Sequence, residues 1–139
     1  MHKTSILRDE LVSAYQPYVE KGITNPFDIF GKDALTTKLA ELDSAYHEAQ
    51  SEIAKTLTPT DRVLLEIDQT TVFFDAGFTD VDLLEEIALE WLANVLWDAQ
   101  DLQDQDLINR VKNKIQEVQS RIVEIDPTYK IADIDDIDT

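Results

Sequence analysis

Carboxylates are the side chains in this chain plentiful enough to do chemistry together. Glu86 and Glu90, then Asp98 and Asp101, recur at three- and four-residue steps between Thr79 and Asp101. Acids converging at that spacing can hold Mg²⁺ for nucleotide hydrolysis, provided a Lys or Arg meets the phosphate. The provision fails locally, because no Lys or Arg occurs between Arg62 and Arg110. A solvated polar stripe is the plainer use of such acids. A metal-dependent nucleotide phosphohydrolase of all-helical type therefore stands as an alternative rather than the leading reading.

Other catalytic patterns are missing. There is no Gly-rich phosphate loop, HExxH, GxSxG or EF-hand loop. The tail ADIDDIDT is rich in carboxylates but lacks the turn glycine and terminal Glu of a calcium loop. His47 follows Asp43 by four residues, a spacing that can share a metal or tune an acid/base pair. The Glu-x-x-His pairs of di-metal bundles are absent, so a helix-surface pair is expected. The other histidine, His2, is terminal. The absence of cysteine excludes disulfides, thiol catalysis and Cys-based zinc sites. No catalytic residue, metal site or cofactor is assigned, and a non-catalytic protein is expected.

A different use of the same acids emerges from a helical wheel of Thr79 to Asp101. At about 100° per residue, Val81, Leu84, Ala88, Trp91, Leu92, Val95 and Ala99 form a buried stripe. Glu86, Glu90, Asn94 and Asp101 lie opposite. Trp97 is seven residues from Glu90 and falls among the acids, and Leu89 is also off the buried stripe. The joint at Leu102 or the C-terminal tail could cover both. If they are open, Glu86, Leu89, Glu90, Trp97, Asp98 and Asp101 make an aromatic anchor ringed by carboxylates, suited to a basic protein partner.

The elements that must position these residues are helical. Ile6, Leu7, Leu11, Ala14, Tyr15, Tyr18 and Val19 predict a first helix to about Glu20, with a kink or break at Pro17 and a stop at Gly22. Asn25 and Pro26 predict one short helical turn closed by Gly31, with Phe27, Ile29 and Phe30 plugging the core. Leu35, Leu39, Leu42, Tyr46, Ala49 and Ile53 form a heptad-like seam from an Asp33 cap to about Lys55. That seam suits packing inside a bundle, and homodimerisation is its alternative use. Thr58-Pro59-Thr60-Asp61 starts the next helix, which runs to about Asp75 and closes at Gly77. Its QTTVFF half, residues 69 to 74, is β-branched and aromatic enough for a strand, but nothing nearby would pair with it. Thr79 is the expected cap of the acidic helix, with Phe78 stapled on Leu83. A last helix to about Val123 follows Ile108, Val111, Ile115, Val118 and Ile122 and carries Arg110, Lys112, Lys114 and Arg121.

The totals agree with that outline. A length of 139 residues suits one domain with a real core. A hydrophobic fraction of 43% argues against global disorder, and three Gly with four Pro suit long helices better than a many-turned sandwich. The formal charge of −17 argues against direct binding to nucleic acid or to an anionic membrane, both of which need basic patches. No run reaches the eighteen or so apolar residues of a spanning helix, and the first residues lack a secretory apolar core. A soluble, cytoplasmic protein is expected.

The expected fold is all-α: a mostly antiparallel bundle of about five main helices with one short helical turn. A single domain over residues 1–126 would precede a flexible acidic Ile/Asp tail at 127–139. The expected function is an acidic interaction or adaptor protein for a basic protein partner. A DNA mimic that inhibits a nucleic-acid-binding protein is its more specific form, requiring carboxylates spaced like phosphates.

Overall fold

Helix starts are set by side chains that replace missing ladder partners. The Thr58 hydroxyl accepts from the Asp61 amide and Pro59 takes the first helical position, so α3 runs Pro59–Thr70. The Asp104 carboxylate accepts from Leu107 and starts α7, Gln105–Ile125. Asn25 accepts from Phe27 and nucleates a single 3₁₀ turn, Pro26–Asp28. These belong to a computed structural model describing residues 3–29 and 34–131. Asp33 as a cap, Phe30, Gly31, His2 and the tail from residue 132 lie outside the described residues.

The remaining elements are α1 Lys3–Glu20, α2 Ala34–Ala54, α4 Val72–Ala76, α5 Val81–Glu86, a π-helical turn Ile87–Trp91, and α6 Leu92–Asp101. The protein is an all-α helical bundle, 80% helical, with no strand among the described residues, so residues 69–74 are helical on both sides of Thr71 rather than a strand. The helix is interrupted at Thr71. The Thr70 and Thr71 hydroxyls both donate to the Ile67 carbonyl, competing with the ladder where α3 gives way to α4.

Two expected helix details are corrected. Of the kink or break expected at Pro17, the break does not occur: α1 is continuous to Glu20, with buried Tyr15 and Tyr18 on either side of the proline. The cap before the acidic helix is Asp80, not Thr79: the Asp80 carboxylate accepts from the Leu83 amide at 2.9 Å. Gly22 and Gly77 both have positive φ. The amides of Gly22 and Ile23 donate to Val19 and Tyr18, a closing pattern that requires the left-handed residue glycine adopts freely. The same two-bond pattern recurs at Gly77, from Gly77 to Phe74 and from Phe78 to Phe73.

The chain groups into two compact units. The first comprises Met1–Leu57 with Val72–Phe78. There α1 packs on α2 and α4, burying Leu11, Tyr15, Leu39, Tyr46, Phe74 and Phe78. Tyr15, Phe73 and Phe78 meet edge to face at centroid separations of 5.5 to 6.1 Å. Phe27 was expected in this core but is 59% exposed, its ring meeting Phe73 edge to face at 5.8 Å, while Ile29 is buried. The 3₁₀ turn is too short to bury both.

The second unit comprises Thr58–Thr71 with Thr79–Thr139. Here α7 packs along α5, the π turn, α6 and α3. Val111, Ile115, Val118 and Ile122 are wholly buried, with Leu107 rather than Ile108 completing the stripe. Each such aliphatic side chain contributes about 1.5–3 kcal/mol on burial.

Candidate functional site

The site begins with a phase change in the acidic helix. A π turn holds one residue more than an α turn, so it rotates the side chains before it by about 100° relative to those after it. Ile87–Trp91 forms such a turn. The straight wheel therefore fails across it. Leu83, Ile87 and Leu96 join Leu84, Ala88, Leu92, Val95 and Ala99 in the core, whereas Val81 and Trp91, expected to be buried, are only half-buried.

The six expected partner-binding residues divide accordingly. Trp97, Asp98 and Asp101 lie on α6 after the turn, and all three are exposed, Trp97 at 52%. Trp97 and Asp101 are one helical turn apart and share a face. Leu102, which could have covered the indole, is itself exposed. Leu89 and Glu90 lie inside the π turn, half-buried and exposed respectively, and Glu86 is exposed at the end of α5. The compact part of the site is Trp97, Asp98 and Asp101. The phase argument that aligned Glu86 and Glu90 with it no longer holds.

One participant was missed from sequence. Glu66 on α3 lies beside Asp98 on α6, and burial first, then the neighbouring Asp98 carboxyl, push its own carboxyl up to about 7. Glu66 Oε2 is shut away from solvent without a hydrogen-bond partner. No local pattern marks Glu66, because only the packing of α3 on α6 brings it to Asp98. The Tyr129 hydroxyl donates to Glu85 at 2.6 Å and ties the chain after α7 to α5. Burial and the Glu85 carboxylate push that phenol up to about 12.

The histidine pair behaves as a surface feature. His47 Nδ1 donates to the Asp43 carbonyl at 2.8 Å and lies 3.5 Å from its carboxylate, with both side chains open to water. No group of three or more acids and histidines able to hold a metal ion occurs among the described residues. No described helix is long and apolar enough to cross a membrane. No protein-family model matches the chain, and neither a curated protein nor a solved structure does.

Proposed function

We propose that the protein is a non-catalytic adaptor that docks a basic protein partner on the α6 face formed by Trp97, Asp98 and Asp101. The supporting observation is the 52% exposure of Trp97 beside the exposed carboxylates of Asp98 and Asp101. Large aromatics dominate binding energy when a partner buries them, and surrounding charges select the partner and speed its arrival. No Lys or Arg occurs on α6 itself, within a stretch free of both from Arg62 to Arg110. A basic patch around an apolar pocket is the complementary surface.

Affinity capture from native extract at low and moderate salt tests the reading. Wild-type protein is expected to retain a basic protein in a salt-sensitive manner, and Trp97→Ala is expected to lose it while its circular dichroism stays helical. A folded Trp97→Ala protein that captures the same partners as wild type would sink the proposal. If Asp98→Asn and Asp101→Asn abolish capture and the captured protein is a nucleic-acid-binding one, the DNA-mimic form of the reading gains ground.

A further inference from the structure

The first compact unit contains a feature that the α6 face does not use. Where α1 and α2 lie side by side, Ala14 and Pro17 on one helix and Ala45 on the other are too small to fill the space between them. The result is an open, mainly apolar groove of about 550 Å³, with Tyr18 and Leu42 among its walls. Small-molecule sites have this size and character: an apolar lining with a few placed polar groups. Here the placed groups include two ammonium ions. Lys21 Nζ sits 5.7 Å from the centroid of the Tyr18 ring, which holds the charge against the groove wall, and Lys38 lines the same groove from α2.

Two acids also line it. Glu10 precedes Lys21 by eleven residues, about 16 Å along α1, which is beyond the Debye length of about 8 Å at physiological salt. Its charge is therefore screened at Lys21. Glu41 is exposed on α2, three residues after Lys38, and offsets part of the Lys38 field. An elongated apolar ligand with one negative end satisfies the groove better than a neutral or cationic one.

We propose that the α1–α2 groove binds a free long-chain carboxylate, its alkyl chain over Ala14, Leu42 and Ala45 and its carboxylate at Lys21 and Lys38. The proposal is independent of partner docking at Trp97.

The test is calorimetric titration and thermal melting of the full chain with dodecanoate, dodecanol and dodecyltrimethylammonium, each below its micelle concentration. Dodecanoate is expected to bind saturably at one site and raise Tm. The double variant Lys21→Glu/Lys38→Glu should weaken dodecanoate by roughly tenfold and leave dodecanol unchanged. Ala14→Trp, which fills the groove, should abolish both; Ala45→Trp fills it from the other helix should the first variant misfold. Absence of saturable binding, a lowered Tm, or dodecyltrimethylammonium binding as tightly as dodecanoate would overturn the assignment. So would binding only to anionic vesicles. A dimer of the wild type that Ala14→Trp disperses, with no amphiphile bound, would give the groove to a second copy and overturn it equally.

Discussion

Glu66 shows how one carboxyl can set a pH dependence. Its group titrates near 4.5 when unfolded and near 7 in the fold, raised by burial first and by Asp98 second. Between those values the folded chain binds more protons than the unfolded chain, so stability falls as pH rises. The contribution is complete below about 4.5 and lost as pH passes through 7. Glu66→Gln keeps the shape and removes the titration. Relative to wild type it should flatten the decline in urea midpoint between about pH 5 and pH 8 and be the more stable protein at the upper end. Partial exposure and solvent screening hold the gain to about 1 kcal/mol. An unchanged slope in the variant would show that Glu66 is not the group that titrates across that range. Tyr15 is a second buried group under the same physics: burial and the Asp43 charge raise its phenol, whose oxygen has no hydrogen-bond partner.

Among the elements, caps and stripes were legible and interruptions were not. The Thr58-Pro59 start, the Gly22 and Gly77 stops and the α7 stripe follow from local chemistry that the chain carries in a few adjacent residues. The π turn at Ile87–Trp91 was not legible, because its sequence, IALEW, is as good an α-helix as its neighbours. It is favoured by the burial of Leu83, Leu84 and Ile87 on one side together with Leu92, Leu96 and Ala99 on the other. The cap of that helix moved by one residue for a related reason: Thr79 and Asp80 are both competent caps, and the start of α5 selects Asp80. Asp80→Ala should therefore cost about 1 kcal/mol in denaturant unfolding, while Thr79→Ala should lie within about 0.5 kcal/mol of wild type. The reverse order would restore Thr79 as the cap.

For the whole molecule, charge and contact topology pull apart. A net charge of −17 repels itself in any compact state, so added salt should stabilise the protein by screening. The expected gain from low to physiological ionic strength is about 1 kcal/mol, or roughly 4 °C in Tm, read by calorimetry in NaCl. A Tm that falls with NaCl would mean that ion pairs such as Arg8–Asp75, at 2.6 Å, outweigh the repulsion. The division into two compact units has no marker in the chain: no Gly/Ser linker separates them, and the chain enters the second at Thr58, returns with α4 and leaves again at Thr79. Sequence by itself determined the all-α class and the helix starts at Thr58 and Asn25, since periodicity and capping act over a few residues, and it placed an indole among acids without deciding whether that indole is open. Tertiary structure alone decided the π turn, the Glu66–Asp98 contact, the exposure of Phe27 and the groove between α1 and α2. Each of these depends on which helix packs against which, and that free energy is summed over contacts between residues distant in the chain.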